Sequence, residues 1–487
     1  MVKFISFIVL LSVLIGCNKA TNTTNIPLET DDTLKNTGGI NDPIAEINST
    51  PEIVLAYRDP FPASLLLDMP PAKNQGSQGS CGAWATVYYL HSYLKHIAEA
   101  TTYSNNTLSS PSYTFNQLKQ GNCGGGSGAI VHLAYLKNQG ACSLADMPYT
   151  APSCSQQPNA SQRASAANNK ISQYFKINRH NENLVKTLLN LQMPIVNAIA
   201  SDNALHNLPT NNVWIPNGVS ANGHMVTMCG YTTQGYTFIN SWGRNWGNEG
   251  RFHIPYNDFS LFPKDGGFVA FWASNPAFDD LNRSKVSEYL LNGNANNTGG
   301  GTNALTNNLT ATTNRKMQAN SAVLLNGSNS VICANENLNT NGFSVSMWFN
   351  KSNSLNPKQT ILSQVDKQLD ANNNIDVFIE NDTLVIDLPI GTSRFRLDAD
   401  STLQNNTWYH LVYTYDTKFL KFYLNGKVIK FAVYMNYFKN TNTNMNFGCT
   451  LRNALGVNDN FFVGKFDDIR IYSRAIKETE VDKLFLE

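Results

Sequence analysis

Four residues have the types and spacing for nucleophilic chemistry: Cys81, Gln75, His224 and Asn240. Cys81 sits where a loop gives way to a helix. Pro71 to Ser80 holds Gly76 and Gly79 among small polar residues, whereas Thr86 to Glu99 contains neither Pro nor Gly. Trp84, Val87, Leu90, Leu94 and Ile97 recur at three- and four-residue steps, which predicts an amphipathic helix. At a helix start, unpaired N–H groups and the helix dipole favour a thiolate. Gln75 precedes Cys81 closely enough to aim an amide N–H at an oxyanion beside the sulfur. Further on, His224 follows Gly223 and opens an apolar strand, and Asn240 closes Tyr236–Ile239. A turn at Thr233–Gly235 makes the two neighbours across an antiparallel pair. His91, His96, His132, His180, His206, His253 and His410 have no comparable setting.

The elements that must position these residues need more than one core. At 487 residues the chain is too long for a single domain. Lys+Arg 36 against Asp+Glu 35 gives +1, so no basic excess exists to neutralise phosphates, and a nucleic-acid partner is excluded. Lys3 followed by the apolar run Phe4–Ile15 has the length of a signal-peptide core and is too short to span a bilayer. It ends in Val13-Leu14-Ile15-Gly16-Cys17, which resembles a bacterial lipobox with Cys17 as the acylated residue. The expected location is therefore the bacterial cell envelope, lipid-anchored, in the periplasm or at the cell surface, with the membrane as a partner. Residues 18–53, rich in Asn, Thr and Asp, read as a disordered tether. No long charged helix precedes the Cys81 loop.

After the Cys81 helix, Cys123-Gly124-Gly125-Gly126 precedes an apolar helical run from Ile130 to Leu136. Three glycines let a backbone approach a ligand closely, and they serve a plain turn equally well. Residues 155–170 are polar and read as a surface excursion. A helix around Leu184–Leu191 leads through Pro194 into a strand, Ile195–Ile199.

Gln75 to Trp84, the Cys123-Gly-Gly-Gly run, the Gly223-His224 strand and the block Asn240-Ser241-Trp242-Gly243 together resemble the papain family of cysteine peptidases, in family order, over roughly residues 60–275. His224 and Asn240 follow Cys81 at close to the family interval of ~130–150 residues. The resemblance implies an α+β papain-like peptidase domain at 54–275, with a helical subdomain and an antiparallel β subdomain. It implies acyl transfer through a thioester. Cys81 is the nucleophile and His224 its proton partner, resting as thiolate and imidazolium. Asn240 orients the second ring nitrogen of His224, and Trp242 shields that bond. Gln75 and the Cys81 N–H form the oxyanion hole, and Gly125 and Gly126 present backbone to an extended peptide or protein substrate. No cofactor or metal is needed.

Two departures matter. Papain itself has a Cys three residues before the nucleophile; Gln78 stands there, so Cys123 lacks its usual partner. Gly82 stands after the nucleophile, with Trp84 further on, as in bacterial members. An exported chain permits disulfides. Cys142 and Cys154 would close a short loop, contributing roughly 3 kcal/mol, and Cys333 and Cys449 could pair. Cys123 and Cys229 are left free or with partners unassigned.

Residues 276–285 read as a linker. From 286 to 487 strand signals dominate: Phe343–Phe349 alternates with period two, and Asn425-Gly426 between apolar runs is a hairpin turn. No helix of comparable quality appears before Lys477–Leu486, so an all-β sandwich is predicted. Trp408-Tyr409-His410-Leu411, Tyr423-Leu424-Asn425-Gly426 and Gly464–Tyr472 resemble laminin-G/concanavalin A-like jelly rolls. That resemblance implies a glycan or protein ligand, and sometimes calcium. Asp467 and Asp468 could be ligands, although a structural role at the strand edge is the simpler reading.

The favoured function is an exported, membrane-anchored cysteine peptidase with an accessory β-sandwich domain that binds glycan or protein. The alternative is a surface adhesin with a non-catalytic peptidase-like domain. A transferase passing the acyl group to an amine fits the Asn240–Gly243 block less well.

Overall fold

The computed structural model describes residues 34–487 apart from 58–60, 152, 218–221, 274–280, 300, 307, 329–330, 333–341, 365–374, 391–392, 436–444 and 453–456. The apolar run, Cys17 and Cys333 lie outside the described residues. Among the described residues no helix is long and apolar enough to cross a membrane.

The Cys81 helix runs unbroken to Glu99, with Cys81–Ala83 and Ser92–Glu99 α-helical and Trp84–His91 wound as a π-helix. Every residue from Ser80 to Leu94 is buried, so the helix has one-sided burial only in its last turns, where Ile97 is exposed. It is buried all round because it lies between two layers. Helices Pro111–Leu118 and Ala129–Asn138 pack on one side, and the strand carrying His224 on the other. Thr227 donates from that strand to the Ala85 carbonyl at 3.0 Å, tying the layers. The polar excursion at 155–170 contains a surface helix, Ala160–Ala167, with a complete Asn159/Gln162 capping box.

The strand Asn222–Tyr231 pairs antiparallel with Ile195–Ser201 and with Gly235–Ile239. The C-terminal half is a sandwich of antiparallel strands. Phe343–Lys351 lies between Trp408–Tyr415 and Val463–Tyr472 in one sheet, and Lys358–Gln364, Ile375–Glu380, Thr383–Ile390 and Ser393–Thr402 form the other. Phe343, Val345, Met347 and Phe349 all enter its core, as period two requires. Asn425 and Gly426 have φ 51° and 77°, the left-handed pair that a two-residue hairpin needs.

The expected tether through Ile53 is corrected from residue 34 onward. Ile44–Ser49 is a helix and Glu52–Tyr57 a strand. That strand pairs parallel with Ile171–Ile177 of the peptidase half and parallel with Lys427–Tyr434 of the sandwich. Both halves thereby share one continuous 16-stranded sheet. The independence of the halves implied by a simple linker does not hold at this seam.

The cysteine pairing also differs. Cys123 bonds Cys154, while Cys142 and Cys229 are unpaired and buried. Cys154 takes the place that a Cys at position 78 would fill. Gln78 donates from Nε2 to the carbonyls of Thr150 and Ser153 on the same loop, at 3.1 and 3.0 Å. The Cys333–Cys449 pairing lies outside the described residues. Asp467 and Asp468 both pair with Arg315, at 2.5 and 2.8 Å, at the strand edge. Among the described residues no cluster of three His, Cys, Asp or Glu could hold a metal.

Candidate active site

The loop before Cys81 is pinned to the Asn240–Gly243 block. The Gln75 N–H donates to the Ser241 carbonyl at 2.9 Å, and the Gly243 N–H to the Lys73 carbonyl at 3.2 Å. The Ser241 hydroxyl donates to Gln75 Oε1 at 2.6 Å, and Gln75 Nε2 donates to the Gln78 carbonyl at 2.8 Å. One Nε2 hydrogen of Gln75 is thus committed to its own loop, and the other has no acceptor among the described residues. Tyr149 donates to the Gln75 carbonyl at 2.6 Å. Ser241 and Tyr149 fix this loop, and neither was legible without the fold.

His224 is the third residue of its strand and is fully buried. Its Nε2 lies 2.8 Å from Asn240 Oδ1, which also accepts the Ser241 N–H at 2.8 Å. Two donors into one atom mark it as the amide oxygen, so Nε2 carries the ring proton in the neutral tautomer. The other ring nitrogen, Nδ1, is buried without a partner. Trp242 stacks on the imidazole with centroids 4.8 Å apart and planes at 21°, and His206 packs against Trp242 at 4.7 Å. The Cys81 thiol lies against the backbone N–H of Met225, the residue after His224. The structure thus brings Gln75, His224, Asn240 and Trp242 together around Ser241 and sets Cys81 against the strand of His224.

Burial pushes the Cys81 thiol up to about 12, against hydrogen bonds from the Met225 and Gly82 backbone. Burial pushes His224 down to about 4; the Asn240 hydrogen bond opposes this and His206 adds to it. Under this cover, burial disfavours the charged form of each group taken singly.

The cover is the chain's own N-terminal segment. Lys35 Nζ donates to the His206 carbonyl at 2.6 Å, and Trp242 Nε1 to the Asn36 carbonyl at 2.5 Å. The Gly39 N–H donates to the Gly223 carbonyl at 2.8 Å, and the Ser127 N–H to the Gly38 carbonyl at 3.1 Å. Asp42 then accepts the N–H groups of Ala129 and Ile130, at 3.1 and 2.9 Å, at the start of helix Ala129–Asn138. This strap passes between the glycine run and His224. A Cβ on Gly39 would stand 2.7 Å from the backbone nitrogen of His224, so only glycine fits. Gly126 faces the strap: a Cβ there would stand 2.1 Å from the Gly38 carbonyl oxygen. Gly125 instead presses on its own loop, where a Cβ would meet the Gln120 carbonyl oxygen at 1.4 Å. Of the two glycines expected to meet substrate, Gly126 is the one whose Cβ position faces the strap, and Ser127 beside it donates to Gly38. The doublet Gly38-Gly39 was the available signal for the strap.

Residues 66–260 match the papain family cysteine proteases. The chain carries a papain family cysteine protease domain. Residues 325–482 of the same chain match the concanavalin A-like lectin/glucanase superfamily. The protease domain is 28% identical over 211 residues to RD21C, a probable cysteine protease of Arabidopsis thaliana, covering 42% of this chain and 45% of that protein. The chain thus matches less than half the length of this curated relative. Among solved structures, xylellain, a cysteine protease from Xylella fastidiosa, aligns at 19% identity and TM-score 0.40, covering 49% of this chain and 96% of that one. The sandwich half aligns with domain 4 of the arabinanase AbnA from Geobacillus stearothermophilus at 17% identity and TM-score 0.34, covering 41% and 98%.

Proposed function

We infer that the chain is a cysteine peptidase hydrolysing peptide bonds in peptides or proteins, held in a latent form by its own strap. The observation that supports this most is the His224–Asn240 pair at 2.8 Å, with Nδ1 left without a partner beside the helix that begins at Cys81. In the uncovered site Nδ1 takes the Cys81 proton, and the thiolate attacks the scissile carbonyl carbon. The oxyanion is received by the free N–H of Gln75 and the Cys81 N–H. The imidazolium returns its proton to the leaving amine, and water hydrolyses the thioester with His224 as base. Asn240 keeps the ring oriented throughout.

Cys17 anchors the protein to the membrane by acyl chains, in the periplasm or at the cell surface, and the sandwich holds the enzyme near a glycan or protein ligand. The superfamily match over residues 325–482 supports the second point. The test is turnover of a peptide library by protein lacking residues 1–17, with and without Gly39→Leu to lift the strap. Turnover by the Gly39→Leu protein that disappears in Gly39→Leu/Cys81→Ala is the expected result. No turnover by the strap-lifted protein would favour the adhesin reading.

A further inference from the structure

The strap's grip on the cleft is weak in kind. It consists mainly of backbone hydrogen bonds, two side-chain hydrogen bonds from Lys35 and Trp242 to carbonyls, two glycines and one carboxylate; Leu34 and Ile44 are 41% and 72% exposed, and Ile47 alone of the apolar residues in the following helix packs against the protease core. No residue of the helix Ile44–Ser49 that follows is buried. Such a segment docks more firmly when its chain is held nearby, through a high effective concentration. The next element along the chain that can hold it is the strand Glu52–Tyr57.

That strand registers with more residues of the sandwich than of the protease domain. Glu52 and Ile53 register with Lys176 and Ile177 of the protease domain. Ile53, Val54, Leu55 and Tyr57 register with Phe431, Ala432, Val433 and Tyr434 of the sandwich. Val54 packs on the sandwich core, while Ile53 and Leu55 belong to the protease core. The sandwich reaches into the same seam. Phe431 lies 4.4 Å from Phe175 and 5.2 Å from Phe271, and Phe419 lies 5.3 Å from Phe271.

We propose that the C-terminal sandwich is a working part of the latch: by gripping Glu52–Tyr57 it keeps the strap in the cleft, and moving the sandwich off this strand opens the active site. The proposal rests on the reading of Cys81 as a reactive thiol that the strap covers. Because coupling between two sites is reciprocal, expelling the strap must in turn loosen the strand–sandwich seam.

The test is the rate at which a small thiol-directed epoxide alkylates Cys81 in the full chain. Val54→Asp places a carboxylate against the sandwich core, on a half-buried side chain at the seam rather than inside either domain. It should raise the rate by about 100-fold, the low end of what tethering contributes. Gly39→Leu lifts the strap directly and should raise it at least as much, and the double variant should be no faster than Gly39→Leu alone. A wild-type rate in Val54→Asp beside a raised rate in Gly39→Leu overturns the latch and leaves the strap intact. No increase in Gly39→Leu overturns the reading of Cys81 and its cover. A second measurement needs no substitution in the seam: amide hydrogen exchange at residues 53–57 should quicken when Cys81 is alkylated. Unchanged exchange there in fully alkylated protein overturns the coupling even if Val54→Asp fails to fold.

Discussion

Asn240 Oδ1 holds His224 Nε2 at 2.8 Å while accepting the Ser241 N–H at the same distance. The Ser241 hydroxyl reaches Gln75 Oε1 at 2.6 Å. One dipeptide therefore positions both the imidazole and the Gln75 amide proposed to receive the oxyanion. The two proposed roles should separate kinetically. In the strap-lifted Gly39→Leu protein, Gln75→Ala should lower kcat by about 100- to 1000-fold, because its donor acts on charge that exists only in the transition state. Asn240→Ala should cost about 10- to 100-fold and shift the imidazolium limb of the pH–rate profile, which Gln75→Ala should leave in place. The measurement is kcat and kcat/KM against pH on one peptide. A rise in KM alone for Gln75→Ala would remove Gln75 from the oxyanion hole.

Ser241→Ala should reproduce a milder version of the Gln75 defect. It frees Gln75 Oε1 and lets the amide rotate, without touching His224. A drop in kcat of about tenfold is expected, roughly 1.4 kcal/mol. Restoration of kcat by Ser241→Thr, which keeps the hydroxyl, would separate this from a general packing loss.

The strap carries two opposed proton linkages. Burial raises Asp42 to about 6 when docked, against hydrogen bonds from Ile130 and Ala129 and with Glu46 adding to the rise. A raised carboxyl pKa means docking takes up a proton, so this contribution favours the strap below the free carboxyl value and is lost as pH rises through about 6. His224 is lowered to about 4 under the strap, so its contribution is full above the ordinary histidine value and is lost as pH falls toward 4. The two largely cancel in the window between, and wild-type latency should change little there. Asp42→Asn removes one arm, and its latency should weaken steadily as pH falls from 6.5 to 4. The readout is Cys81 alkylation normalised to Gly39→Leu at each pH. A flat Asp42→Asn profile would show that the strap does not depend on the His224 charge state.

The Cys123–Cys154 bond closes a loop with a sequence separation of 31. Chain entropy places its contribution at roughly 3–4 kcal/mol. Cys154→Ser should therefore lower Tm by several degrees. Cys142→Ser, at a buried but unpaired thiol, should cost far less. Comparable losses from both would mean the bond constrains little beyond packing.

Cys17→Ser should release the protein from the membrane fraction or leave it unprocessed. Fractionation indistinguishable from wild type would dismiss lipid anchoring.

Much of the candidate catalytic set was local information. A glycine-rich loop running into a helix marks Cys81, and a glycine-led strand followed by a short hairpin brings His224 opposite Asn240, because hairpin pairing is decided by turn chemistry a few residues away. Period two in Phe343–Phe349 and the Asn425-Gly426 turn announced the sandwich for the same reason. What the tertiary structure alone decided depends on contacts between residues distant in the chain. The polar composition of residues 34–53 lacks the apolar surface to fold by itself, so it reads as a tether. It is ordered here because two finished sheets present edges on either side of Glu52–Tyr57, and because the cleft supplies the hydrogen bonds that Gly38 and Gly39 cannot make alone. The Cys123–Cys154 pairing, the all-round burial of the Cys81 helix and the full burial of Cys81 and His224 follow likewise from what packs over them. Burial is a property of neighbours, and neighbours brought together from distant parts of the chain leave no periodicity in the sequence.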